Sequence, residues 1–262
     1  MKKYFILFGF MTAVLFFGCG KAKVSVTLAG STAFQPFAEK IAEKYMASNP
    51  NITVTVQGGG SAVGIQSANS GAAQIGMADL VKLPDEAKSL TSTVVAQDGI
   101  AIIVHPKNKA VNLSIEQLRA VFNGKIQNWK EIGGSDAPIT VVSREAGSGT
   151  RSSFEKIVTG ITLVNNAVIQ NSNGTIRETI ANDENSIGYI SHGILNDKVK
   201  ALMIDSVECT TESIIAKKYN LVRPIFLLTK GAPEGEVKNF IDYILSDEIQ
   251  AMIKKDGLLP VK

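Results

Sequence analysis

Two histidines and two cysteines in 262 residues leave this chain little with which to hold a transition metal or build a disulfide framework. His105 and His192 lie far apart, and neither has a cysteine or acidic residue at metal-ligand spacing. An excess of one charge is missing as well. Discounting Lys2 and Lys3 leaves 25 basic residues against 24 acidic ones, so no global field points to nucleic acid or an anionic surface. The standard nucleotide motifs fail. The pattern G-x-G-x-x-G breaks at Gly147-Ser148-Gly149, where Ser152 takes the last position, and at Gly58-Gly59-Gly60, where Val63 does. A P-loop needs Gly-Lys, and Gly149 is followed by Thr150. There is no low-complexity segment and no repeat of fixed period. The chain is long enough for one large domain or two small ones, and its 45% apolar and 19% charged content is that of a globular protein.

The amino terminus reads as a targeting segment. Lys2-Lys3 precedes Tyr4–Phe17, an apolar run too short for a membrane span, which needs about 20 residues. It ends Leu15-Phe16-Phe17-Gly18-Cys19, which resembles a bacterial lipobox with the bulky Phe17 at an unusual place. The expectation is cleavage after residue 18, lipid on Cys19, and anchoring to the membrane without spanning it. A plain secretory signal with an incidental cysteine is the alternative. With Cys19 acylated no internal disulfide is possible, and Cys209 is expected to be a small packing residue.

What is present is a recurring grammar of strand, Gly/Ser turn and helix. It appears at Val26–Phe37, at Ile52–Ile65 and most fully at Ile139–Phe154, I-T-V-V-S-R-E-A-G-S-G-T-R-S-S-F. Each turn offers the unpaired N–H groups and partial positive charge of a helix N-terminus, with hydroxyl donors beside them. One such turn is commonly just a cap; three, with an arginine in the third, suit an oxyanion.

The element order is α/β. Strands are expected at Val24–Ala29, Ile52–Gln57, Gln74–Met77, 187–190, Val199–Ile204 and Leu221–Thr229. Helices are expected from Phe34 to near Asn49-Pro50, over Ser61–Asn69, over Ser114–Phe122 with a Ser114/Gln117 capping box, over Arg151–Val158 and in a segment led by Gly174. A single last helix carries the stripe from Val237 to Ile253. Val94–Val104 reads as an apolar run broken at Gln97-Asp98-Gly99, a hinge or tight turn. Asn123–Asp136 reads as a loop around Trp129, itself a packing residue. Apolar runs near Ile100–Val104 and Arg223–Leu228 are candidate crossings between two lobes that clamp a ligand.

The motifs A-G-S-T, Q-G-G-G-S-A-x-G-I (Gln57–Ile65), I-G-M-A-D (Ile75–Asp79), Q-D-G-I-A (Gln97–Ala101), G-K-I-x-N-W (Gly124–Trp129), S-R-E-A-G-S-G-T-R (Ser143–Arg151) and R-P-I-F-L-L-T-K-G (Arg223–Gly231), with the terminal G-L-L-P-V, resemble those of the PstS family. These are the phosphate-binding proteins of bacterial ABC transporters. The resemblance covers nearly the whole chain after the leader. It implies a type II periplasmic-binding-protein fold: 24–104 plus 223–262 as lobe one and 105–222 as lobe two, with an oxyanion sealed between. Carried over by residue, Ser31, Thr32 and Ala33 form the first turn, Ser61 the second, Asp79 the acidic position, and Arg144, Ser148, Gly149 and Thr150 the third. It also implies a monomer that takes inorganic phosphate, meets permease subunits, and uses no cofactor or metal.

Asp79 decides the anion. A carboxylate repels an anion unless the anion carries a proton to donate, as hydrogen phosphate does and sulfate at neutral pH does not. Arg144 supplies the positive charge. Part of the family has an acid two places after it; Ala146 stands there, leaving Glu145 as the substitute partner. Arg151 is expected to sit behind the contact residues. Competing readings are a binder of sulfate, molybdate or tungstate, a surface sensor of the same fold, and a phosphatase using Ser148 as nucleophile. The last lacks G-x-S-x-G and any histidine close to Ser148.

Overall fold

The computed structural model describes residues 24–261. The leader and Cys19 lie outside the described residues. Strands β1 (Val24–Gly30), β2 (Ile52–Gln57), β3 (Ile75–Asp79) and β11 (Val222–Thr229) join the first part of the long β4 (Thr91–Val104) in the order β2-β1-β3-β11-β4. The same β4 then continues into a second sheet with β8 (Ser186–Ser191), β6 (Thr140–Arg144) and β7 (Val168–Gln170), in the order β4-β8-β6-β7. Its Thr91–Gly99 part pairs antiparallel with β11 and its Ile100–Val104 part antiparallel with β8. Two short pairs complete the set: β9 (Lys200–Ala201) on β4, and β10 (Met203–Ile204) on β5 (Asn112–Leu113). This is the type II periplasmic-binding-protein fold.

Two hydrophobic cores flank the β4 passage. The first gathers Val26, Leu28, Ile75 and Met77 of the sheet under α1 (Gln35–Ser48), α7 (Gly235–Ile244) and α8 (Asp247–Lys255). The second gathers Ile100–Val104, Val142 and Tyr189 under α3 (Ile115–Phe122), α4 (Gly149–Ile157) and α5 (Asn173–Ala181), with Ile214 of the short α6 (Thr211–Ile215). Packing therefore divides at Gly99/Ile100, and Ile100–Val104, grouped with the first block by sequence, place their side chains in the second core. A satellite cluster of Ile65, Ala68, Ala78 and Leu228 seats α2 (Ser61–Ser70).

Three sequence expectations change. The final helix is two helices, because Ser246 is extended and its hydroxyl accepts from the Ile249 N–H, starting α8 with Asp247 and Glu248 in its first turn. The apolar stripe survives the break because Phe240, Ile241, Ile244, Ile249 and Ile253 all face the first core. Val199–Ile204 is two strands, since Leu202 turns its N–H to the Ile102 carbonyl between them. Gln97-Asp98-Gly99 is not a break: β4 runs through it, with Asp98 in register with Arg223 of β11. The Asn123–Asp136 segment holds one 3-10 turn, Trp129–Ile132, whose buried indole donates to the Asn185 carbonyl at 2.8 Å. The Ser114/Gln117 capping box forms as expected.

Candidate functional site

The strand ends meet where the two sheets face each other. β1 ends at Gly30, β3 at Asp79, β6 at Arg144 and β8 at Ser191, so the turns that follow open into one cleft, the usual ligand position in an open α/β sheet. The N-termini of α2 and α4 approach it from opposite sides. Their contact is close: the Ala62 N–H donates to the Gly147 carbonyl at 3.1 Å. Gly149 is required there, since a β-carbon would overlap the Ser61 hydroxyl and the Asp79 backbone. Gly30 at φ 132° likewise has no room, its β-carbon falling on the Met77 carbonyl that accepts from the Ser31 N–H.

Hydrogen bonds and close approach join Ser61, Asp79, Gly149 and Thr150, Asn173 links Thr150 to Thr32, and Ser31, Ala33, Arg144 and Ser148 lie in the segments that carry these residues. The Ser31 hydroxyl accepts from the Ala33 and Phe34 N–H groups at 3.2 and 3.1 Å, shaping the first turn. Thr32 reaches across, its Oγ1 accepting from the Asn173 backbone and side-chain amides at 3.3 and 3.1 Å. Ser61 Oγ donates to Asp79 Oδ1 at 2.7 Å, and Thr150 Oγ1 donates to Oδ2 at 3.2 Å. Ser148 caps α4 by accepting from the Arg151 N–H at 3.2 Å, which leaves its own proton free to be donated. Ser31, Ala33, Ser61, Asp79, Arg144, Ser148 and Thr150 are buried.

Arg144 is held by its neighbour. Its Nε and Nη2 donate to the two Glu145 carboxylate oxygens, both at 2.8 Å, so Glu145 orients the guanidinium where Ala146 cannot. Nη1 is buried without a protein partner, a donor free for an anion. Arg151 stands behind, donating to the Arg144 carbonyl at 2.8 Å and pairing with Glu155. Below the strand, Ser143 Oγ and the Tyr189 hydroxyl lie 2.7 Å apart. Burial pushes that phenol up to about 12, so it stays neutral.

Sequence reasoning missed a second set of residues. Arg223, Asp98, Ser191 and Asn173 close a polar ring with Thr150 and Asp79. Arg223 Nη2 lies 2.8 Å from both Asp79 Oδ2 and Asp98 Oδ2. Ser191 Oγ donates to Asp98 Oδ1 at 2.8 Å, and its N–H donates to Asn173 Oδ1 at 3.0 Å. Asn173 Nδ2 then donates to Thr150 Oγ1 at 3.3 Å. All six residues are buried, and each comes from a different strand or helix. Burial, outweighing Arg223, raises the Asp98 carboxyl above its ordinary range. A signal was available for the ion pair: Asp98 and Arg223 are lone opposite charges inside apolar strands, which a core tolerates only when paired. Asn173 had none.

The chemistry left open is narrow. A carboxylate has about four acceptor directions, and Ser61, Thr150 and Arg223 occupy three, so Asp79 retains about one, on Oδ1. One acceptor beside free donors from Arg144 and Ser148 suits a small oxyanion carrying a proton. Among the described residues no group of three His, Cys, Asp or Glu side chains is placed to hold a metal, and no helix is long and apolar enough to cross a membrane. His192 Nδ1 lies 2.8 Å from the Gly257 carbonyl oxygen. Cys209 is buried, and burial pushes its thiol up.

The sequence matches the PBP superfamily domain over residues 19–248. It is 38% identical over 246 residues to the phosphate-binding protein PstS of Bacillus subtilis (strain 168), an alignment covering 92% of this chain and 82% of that one. It is 30% identical over 279 residues to the protein of the same name from Borreliella burgdorferi, with both chains fully covered. A crystal structure described as a putative phosphate ABC transporter substrate-binding protein with bound phosphate, from Clostridium perfringens, superposes with a TM-score of 0.87 at 40% identity. That superposition covers 91% of this chain and 100% of the other.

Proposed function

The chain belongs to the PBP superfamily and, within it, to the PstS phosphate-binding proteins, and from that membership we propose that it captures inorganic phosphate and hands it to an ABC permease. The ligand sits between lobe one, 24–99 plus 223–261, and lobe two, 100–222, a division moved to Gly99/Ile100 because the cores part there. Ser31, Thr32, Ala33, Ser61 and Asp79 grip it from lobe one; Arg144, Ser148, Gly149 and Thr150 close on it from lobe two. The observations that carry this reading are a single open acceptor on buried Asp79 and an unpartnered, buried Arg144 Nη1. Hydrogen phosphate fills both, donating its proton to Asp79 and accepting from Arg144. Sulfate presents a lone pair where the cleft needs a proton.

A hydrolytic role for Ser148 has no support in the geometry, since that hydroxyl caps α4 and hydrogen-bonds no imidazole or carboxylate among the described residues. The protein is placed on the outer side of the cell membrane as a monomer, tethered by lipid on Cys19. Substituting Cys19→Ser releases it from the membrane fraction if that tether is real. Binding is tested by titrating the purified protein with phosphate while sulfate or molybdate competes. Delivery is tested by phosphate uptake in a strain lacking the gene. Equal competition by sulfate, or unchanged uptake in the deletion strain, contradicts the proposal.

A further inference from the structure

We propose that Arg223, with Asp98 behind it, is a positioning residue for anion selectivity: its guanidinium keeps Asp79 an acceptor-only carboxylate at neutral pH, so the cleft admits an oxyanion only when the oxyanion brings the proton. This rests on the phosphate reading above and adds to it a group that does not itself hold the ligand.

The geometry carries the argument. Asp79 and Asp98 end up on adjacent partners of β11, one from β3 and one from β4, and Arg223 Nη2 lies 2.8 Å from an oxygen of each. All three side chains are buried. The other charged groups around Asp79 are already matched. Arg144 of β6 is taken by Glu145, and Arg151 of α4 by Glu155. From α2, α4 and α5 come Ser61, Thr150, Ser153 and Asn173, which are neutral. Arg223 is therefore the cation that faces the Asp79 carboxylate directly. Without it, two buried carboxylates face each other, and both are driven towards their protonated forms. A protonated Asp79 is a donor. It would meet a sulfate oxygen as well as a phosphate oxygen, and the rejection of sulfate would be lost.

Asp98 has the opposite leverage. Its charge competes with Asp79 for the same Nη2 and repels Asp79. Burial raises the Asp98 carboxyl above its ordinary range, so of the two aspartates it is the one whose charge the fold disfavours. Arg223 Nε and Nη1 are buried without a protein partner, so the two aspartates are the only hydrogen-bond partners of its guanidinium among the described residues.

The test is calorimetric competition of phosphate against sulfate from about pH 6 to about pH 8.5, on the full chain and on D98N, R223K and R223Q/D98N. Dividing each variant's selectivity by the wild type's at the same pH cancels the ligands' own titration. The double variant removes a cation and a carboxylate together, so it adds no unpaired buried charge. Its relative selectivity for phosphate is expected to fall with decreasing pH, by at most about tenfold per pH unit. D98N and R223K, which keep a cation beside Asp79, stay at the wild-type profile or lose selectivity only at lower pH. A double variant that weakens both anions alike with an unchanged pH profile overturns the inference, as does D98N losing selectivity at higher pH than the wild type. Wild-type protein that fails to prefer phosphate would instead overturn the functional reading on which this one stands.

Discussion

Arg144 and Arg223 are both almost fully buried, yet they are held in different ways. Arg144 is gripped on one edge by the adjacent residue, Glu145, and keeps Nη1 free. Arg223 stands between two buried aspartates from different strands. The first arrangement presents charge to something that arrives; the second ties β3, β4 and β11 together where the chain passes between its two cores. A buried guanidinium is thus not by itself a ligand group. What separates the roles is whether the fold has already matched its charge with buried partners.

The comparison breaks if the two arginines respond alike to truncation. Arg223→Ala leaves two buried carboxylates uncompensated and is expected to cost about 3–5 kcal/mol of stability. That is a melting temperature lower by roughly 2–4 °C per kcal/mol for a chain of this size. Arg144→Ala leaves only half-exposed Glu145 behind. It is expected to melt near the wild type but to bind phosphate about thirtyfold or more weakly, the result of removing one side of a desolvated charge pair worth about 2–5 kcal/mol. Calorimetric titration and thermal unfolding of the two variants separate these outcomes, and equal melting losses would erase the distinction.

A smaller effect sharpens it. Glu145→Gln keeps one acceptor for Arg144 but removes the charge, and is expected to weaken phosphate by about 1 kcal/mol, roughly fivefold, without moving the unfolding midpoint. The smallest effect is a slope. The Asp98 carboxyl is raised in the folded protein, so its stabilising contribution is complete below the ordinary carboxylate value, about 3.9, and is lost as pH rises through the raised one. Relative to the wild type, D98N should therefore gain stability on going from acid to neutral pH in urea unfolding. A gap that is flat or closes with rising pH contradicts the direction assigned to Asp98.

The elements that build the cleft were legible because their signals are local. Strand–Gly/Ser turn–helix is written in consecutive residues, and all three turns fall at the cleft with their hydroxyls where the anion is proposed to lie. Asp79 ends β3, two residues beyond the strand expected at Gln74–Met77, and Arg144 ends β6. What stayed hidden depends on pairing between distant segments. Asp98 looks like a turn residue until Arg223 is known to lie opposite it, 125 residues later. Ser246 interrupts an apolar stripe that does not itself change face, so helix periodicity carried straight through the α7–α8 break. Asn173 opens α5 like many asparagines, and its bonds to Thr32, Thr150 and Ser191 exist only once the cleft is assembled.

The central claim is that Asp79 selects the anion by demanding its proton. The direct measurement is phosphate and sulfate affinity, by competitive calorimetry at neutral pH, for the wild-type protein and Asp79→Asn. The account predicts that the amide, able to donate where the carboxylate only accepts, weakens phosphate by about 1.5–3 kcal/mol, a loss of roughly ten- to a hundredfold, while sulfate binding improves. Asp79→Asn protein with the wild-type preference for phosphate over sulfate would contradict it.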